Sequence, residues 1–407
     1  MKQIRLIIAA LSLSLPQVAT AQTMKIYQGQ VITAIPAATA ADVVFAEGGG
    51  SFSVMGTTYP VTKVDRITFD HTTVAPRTVR VAYDDAQTWV TVSADIAPYL
   101  TVRAQGGHVS VVANPELQQE VTYELAGEAS QGSFYMDGEY KATLLLSDLT
   151  LTNPDSAAIN IANGKRIKVK IPAQTVTTLT DGVAGTQDAC FFINGHAEFE
   201  GGGSLQLVGN TKHAYASDEY TQFKSDFGTF RVTKAVSDAM HIEQYLQLEG
   251  GTFYLSGQQG DGIDVGITKD PTDEWNGQAF IRGGKIVVDV AADDVKGLKT
   301  DSALTFTGGT IEATVSGLGT KGISVGTDLL IQQAPDTPVL IKMNVTGTTY
   351  KPQDPVLESK CRGMKIKRDF TFDGGTIDMT VTGVKAKGIS CDGQFIYVSG
   401  QTNVMPS

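Results

Sequence analysis

A recurring step of about two dozen residues constrains this chain more than any other feature. A polar residue, then Ala or Gly, then an apolar residue recurs as Asp188-Ala189-Cys190, His213-Ala214-Tyr215, Asp238-Ala239-Met240 and Asp261-Gly262-Ile263. The series continues as Lys296-Gly297-Leu298, Lys321-Gly322-Ile323, Arg362-Gly363-Met364 and Lys387-Gly388-Ile389. The steps are 25, 25, 23, 35, 25, 41 and 25 residues, and the two long ones contain the loop-like stretches "ITKDPTDEWNG" and "GTTYKPQDPVLES". Gly250-Gly251, Gly283-Gly284, Gly308-Gly309 and Gly374-Gly375 keep the same phase, each just before an alternating stretch such as "KIVVDV". Three short strands per step, with Gly at the corners, predict an all-β parallel β-helix, a solenoid whose rungs stack at about 4.8 Å. One rung cannot bury a core, so many must stack. Leucine-rich repeats share the period but lack their Leu/Asn signature here, and propeller blades are longer.

The remaining segments divide the chain. Residues 1–21 read as a secretory signal: Lys2 and Arg5, a short apolar run, and Ala19-Thr20-Ala21 as a cleavage pattern. An exported protein with no transmembrane segment is expected. Residues 22–75 read as a small β module and linker, 76–139 as a β lead-in region, and 140–407 as the β-helix domain. Loss of the signal would take the formal charge from −11 to −13, which argues against nucleic-acid binding. Cys190, Cys361 and Cys391 are an odd set without C-x-x-C spacing, and buried thiols are expected.

Stacking turns the corner residues into a column that changes sign once, between Asp261 and Lys296. On the acidic side Asp238, Asp261, Asp264, Asp293 and Asp294 are candidate calcium ligands, with Asp218, Glu219 and Glu243 nearby, because like charges at rung spacing repel unless a cation lies between them. The same aspartates at corners can instead cap turns through backbone N–H groups. On the basic side Lys296, Lys321 and Lys387, with Arg362, Lys299, Lys365 and Lys385, form a row that either meets the carboxylates of an acidic polysaccharide or covers a solvated face. Trp275 and Tyr350 fall in the inserted loops and are candidate sugar platforms; the roles of Tyr215 and Tyr220 stay open.

"SDAMHIEQYLQLEGGTFYLSGQQGDGIDV" and "DDVKGLKTDSALTFTGGTIEATVSGLGTKGIS" resemble the rungs of a bacterial carbohydrate-binding domain family of calcium-containing right-handed parallel β-helices, similar in fold to polysaccharide lyases. "LTLTNPDSAAINIANGKRIKVKI" resembles that family's opening turns, and the likeness covers roughly residues 140 to 400. It implies a monomeric, exported, non-catalytic binder of cellulose or acidic, polyuronate-type plant cell-wall polysaccharide. By position it implies calcium at Asp238, Asp261, Asp293 and Asp294. The chain departs from the pattern at Ser237, where a second acid would stand, and at the Lys-Gly corners from Lys296 onward. Two alternatives are carried. One is a calcium-dependent polysaccharide lyase, with Lys296 as its base beside Asp293 and Asp294. The other is a structural or adhesive surface solenoid.

Overall fold

The computed structural model describes residues 23–351 and 358–406. The expected signal at residues 1–21 lies outside these, as do residues 352–357 of the second long loop. The described chain is all β apart from three short 3-10 turns, Ala37–Asp42, Val61–Lys63 and Ala97–Tyr99. None of its helices is long and apolar enough to cross a membrane.

Through the repeats strands come in threes, and most pair in parallel with the third strand ahead of them. Met240–Glu243, Tyr245–Leu248 and Thr252–Leu255 are one such set; Ile263–Gly266, Gln278–Ile281 and Lys285–Val290 are the next. The first strands of successive sets hold the register Met240↔Ile263↔Leu298↔Ile323↔Met364↔Ile389. They form a sheet of 12 strands, while the second and third strands belong to a sheet of 23 that also takes in strands from the N-terminal part. The two long steps leave this register untouched, because the strands on either side of each loop pair as their neighbours do.

Alternation explains which residues face in. Lys285–Val290 buries Ile286, Val288 and Val290 and leaves Asp289 exposed, as a pleated strand with one wet face requires. The inward column Phe253↔Ile286↔Ile311↔Ile341↔Ile377 joins Phe199, Phe223 and Phe230 in one continuous core. The second Gly of each pair has a positive φ, 80° at Gly284 and 106° at Gly309, which other residues adopt at a cost.

The Gly of each Lys-Gly corner has a different cause. A Cβ on Gly297 would stand 2.6 Å from the Gly322 carbonyl oxygen, and one on Gly322 would stand 2.7 Å from that of Gly363. The repeats approach too closely there for a methyl group. Earlier in the column Cys190, Ala214 and Ala239 occupy the same place and are fully buried, the first repeat being one residue out of step with its sequence pattern, since Ala189 pairs with His213.

Parallel pairing reaches further back than residue 140. Val121–Ala129 lies between Thr78–Tyr83 and Ala142–Asn153, parallel to both. Before it, Thr23–Gln28 pairs antiparallel with Val31–Pro36 and Arg66–Asp70. These strands and the sheet Val44–Phe45, Ser51–Val54, Thr57–Pro60 enclose a separate small core of Met24, Ile26, Ile35, Phe52, Val54 and Tyr59. All three cysteines are free; Cys190 and Cys361 are buried and Cys391 half-buried.

Candidate functional site

The register sets the corner residues in a column, with Lys296↔Lys321↔Arg362↔Lys387 directly paired. At the acidic end each corner carboxylate caps the backbone one repeat ahead. Asp261 N–H donates to Asp238 Oδ1 at 2.6 Å, and Lys296 N–H donates to Asp261 Oδ1 at 2.8 Å. Asp293 Oδ1 likewise accepts Leu318 N–H at 2.8 Å.

Three residues past the corner a second outward column runs His241↔Asp264↔Lys299. The two columns interlock. Asp238 Oδ2 lies 3.1 Å from His213 Nδ1 and 3.3 Å from His241 Nδ1, and Asp264 Oδ2 lies 3.3 Å from the same His241 nitrogen. Lys299 Nζ sits 2.8 Å from Asp264 Oδ1. The Asp238 and Asp264 carboxylates hold the His241 imidazole up at about 9, against its partial burial. His241 Nδ1 nevertheless makes no hydrogen bond of good geometry to either carboxylate. Burial opposes ionisation of Asp238 and Asp264, but their cationic neighbours outweigh it and hold both below the ordinary carboxylate range. Asp261 faces the same burial with weaker help from Lys296 and is pushed up to about 6.

Of the five expected calcium ligands, Asp238, Asp261 and Asp264 therefore come together, while Asp293 and Asp294 lie on the turn before Lys296. The joined set includes two imidazoles and an ammonium group, and this does not fit calcium, which takes oxygen donors alone. Asp218, Glu219 and Glu243 offer oxygen donors, and desolvation and then neighbouring carboxylates raise each of them above its usual range, but their carboxylates do not converge within 4.8 Å as a ligand set would.

The expected row of free cations is largely spent on the chain itself. Lys296 Nζ donates to the Asp294 carbonyl at 2.8 Å. Lys321 is buried, with Nζ 3.1 Å from Asp294 Oδ1 and hydrogen-bonded to Ser359. Lys387 is exposed. Trp275, 39% exposed, packs edge-on against Tyr245 at 5.1 Å and Phe280 at 5.2 Å. Tyr350 is half-buried and bridges to Ser359 through its backbone. Sequence reasoning missed that His196, Tyr220 and Tyr245 form a stack, with centroids 4.3 and 4.7 Å apart. Their spacing matches the period and was the available signal. Face-to-face stacking leaves only ring edges for solvent, which makes this a closed ladder rather than an open platform.

Sequence reasoning also passed over a groove of about 530 Å³ on the other sheet. It crosses six successive strands along the outward column Arg231↔Tyr254↔Val287↔Glu312↔Lys342↔Asp378. Asp289, Thr314, Asn344 and Thr380 line the next column. Arg231 lies 4.2 Å from the Tyr254 ring centroid, and Lys285 pairs with Glu312 at 2.9 Å. The signal was the phase of the strands after each Gly-Gly pair, whose outward residues share one face.

Residues 106–407 match the model of a family described as carbohydrate-binding domain-containing proteins. Among solved structures, the polysaccharide lyase-like protein from C. thermocellum, in its gadolinium derivative, is similar. The TM-score is 0.53 at 19% identity, over 65% of this chain and 99% of that one, a likeness of fold. No curated protein matches the sequence.

Proposed function

This chain belongs to the family of carbohydrate-binding domain-containing proteins, and from that premise we propose that it winds as a right-handed parallel β-helix and binds a plant cell-wall polysaccharide without cleaving it. The observation that carries the reading is the groove along Arg231, Tyr254, Glu312, Lys342 and Asp378. A ring face, amides, hydroxyls and charges of both signs repeat there at strand spacing, about 4.8 Å, on a wall whose floor is Leu255, Val288, Ala313 and Met343. Sugar rings have apolar faces and hydroxyl edges, and such a surface can meet both.

The mixed charge favours a hydroxyl-rich chain over a dense polyuronate. The row of Lys296, Lys321 and Lys387 supports an acidic chain less than its sequence promised, since two of those amines are already engaged. Lys296 is also a poor candidate for a lyase base while its ammonium donates to Asp294. Export belongs to this reading through residues 1–21.

Affinity electrophoresis of the full chain in gels containing β-glucan, xylan or polygalacturonate tests the proposal, with and without chelator. Retardation by a neutral glycan that Tyr254→Ala abolishes is expected, with no ultraviolet-absorbing unsaturated product. Product formation would replace the binder with a lyase, and no retardation in any gel would leave the structural or adhesive solenoid.

A further inference from the structure

We propose that His213, Asp238 and His241 form a binding site for a borderline divalent transition ion, with zinc as the representative, through the two Nδ1 atoms and the Asp238 carboxylate. The three come from successive repeats. His213 opens one strand, Asp238 stands one repeat ahead, and His241 is the outward residue three places past Asp238. Their donor atoms all lie within 4.8 Å of one another.

The two distances from the carboxylate to the imidazoles are those of ligands around one ion. Donors bonded to one tetrahedral zinc at about 2.0–2.1 Å stand roughly 3.3 Å apart, and Asp238 Oδ2 lies 3.1 and 3.3 Å from the two nitrogens. The hydrogen bonds add an argument that distance alone does not. The Asp238 amide donates to His213 Nδ1 at 3.3 Å, which makes that nitrogen an acceptor. The same nitrogen lies 3.1 Å from Asp238 Oδ2, so an ion between them would take its lone pair in place of the long amide hydrogen bond, with the carboxylate oxygen beside it. The same ion, displacing a proton, would also satisfy His241 Nδ1, which is buried and makes no hydrogen bond although two carboxylate oxygens lie within 3.3 Å. Buried polar atoms left without partners are rare, and an ion is one of the usual reasons.

The backbone around the site is fixed. His213 is 4% exposed on a strand paired in parallel on both sides, and Asp238 is 8% exposed on the turn just before Met240–Glu243. Asp238 Oδ1 is fixed by the Asp261 amide, leaving Oδ2 for the ion. The imidazole rings are stacked at 4.5 Å and 17°. For both nitrogens to face one ion the rings would have to turn out of this stack about their Cβ–Cγ bonds. Imidazole nitrogens favour zinc, nickel and copper over calcium and magnesium.

Full-length protein freed of metal by chelator and dialysis is titrated with Zn²⁺ by calorimetry and with Co²⁺ by visible absorption, alongside His241→Gln and His213→Gln. One equivalent of Zn²⁺ is expected, with cobalt bands of a nitrogen-oxygen site, unchanged by millimolar Ca²⁺. In His241→Gln, whose side chain is partly exposed, Zn²⁺ affinity is expected to fall at least tenfold while the circular dichroism stays native. Equal affinity in wild type and His241→Gln, or displacement of Zn²⁺ by Ca²⁺, would overturn the site. Failure of His213→Gln to fold does not blunt this test, because His241→Gln carries it alone.

Discussion

Lys321 reaches back one repeat to Asp294, placing Nζ 3.1 Å from Oδ1, and the two are very unequally exposed: the Lys321 side chain 11%, that of Asp294 46%. Burial lowers the Lys321 pKa, and Asp294 only partly offsets it. The cost of breaking the pair should therefore depend on which partner goes. Asp294→Asn keeps the left-handed turn, which Asn tolerates, but strands a buried ammonium, and is expected to cost about 2 kcal/mol. Lys321→Met leaves a carboxylate that water can reach, and should cost less than about 1 kcal/mol. Urea unfolding of the two variants measures the asymmetry.

The corner glycines predict a second asymmetry. Ala at Gly322 would bring Cβ within 2.7 Å of the Gly363 carbonyl oxygen and 2.6 Å of Met343 Sδ. We expect Gly322→Ala and Gly297→Ala each to lose about 2–3 kcal/mol, in the range of overpacked cores. Ala239→Gly, at an earlier repeat where the methyl fits, should lose about 0.5–1 kcal/mol from backbone entropy. Thermal melts rank the three.

Groove and corner cations can be separated by charge removal. Lys342→Ala and Arg231→Ala alter the groove, and each should weaken glycan retention severalfold in the affinity gels. Lys387→Gln, at the exposed end of the corner column, should leave neutral-glycan retention unchanged. Weakening by Lys387→Gln alone would move the site to the corner column and restore an acidic chain as ligand.

Alkaline pH should expose a buried tyrosine pair. Burial holds the Tyr140 hydroxyl up at about 12, although its hydrogen bond with Tyr123 works the other way. An unfolded tyrosine ionises near 10, so between roughly pH 10 and 12 the folded chain keeps a proton that the unfolded chain gives up. Stability from this group is complete below about pH 10 and falls as pH rises towards 12, by about 3 kcal/mol at most. Tyr140→Phe should flatten that decline when urea unfolding is compared at pH 9 and 11.5.

Much of the repeat could be read directly. The step from Asp238 to Asp261, and from Lys296 to Lys321, is the distance between hydrogen-bonded partners in successive repeats. The Gly-Gly pairs mark the corner where Gly284 and Gly309 take a positive φ. What escaped depends on side-chain direction. Lys296 and Lys321 keep the column position their spacing implied, yet their amines fold onto Asp294, whose left-handed φ of 54° turns its carbonyl and carboxylate towards them. No periodicity encodes that turn. His241 escaped for a simpler reason: it lies in the column beside the corner, and only lateral packing of two columns brings it to Asp238. The groove residues likewise take their meaning from five neighbours, each a repeat apart, none notable alone.

The loop at residues 267–277 bonds chiefly to itself, with Thr268 N–H donating to Asn276 Oδ1 at 2.8 Å and Asn276 Nδ2 to the Asp270 carbonyl at 2.9 Å. The strands that flank it pair as if it were absent. Chain length and strand register are thus uncoupled at this point. A lineage can lengthen, shorten or exchange this segment and thereby retune what the surface greets, giving up the packing of Trp275 on Tyr245 and Phe280 but not the strand register of the repeats beneath it.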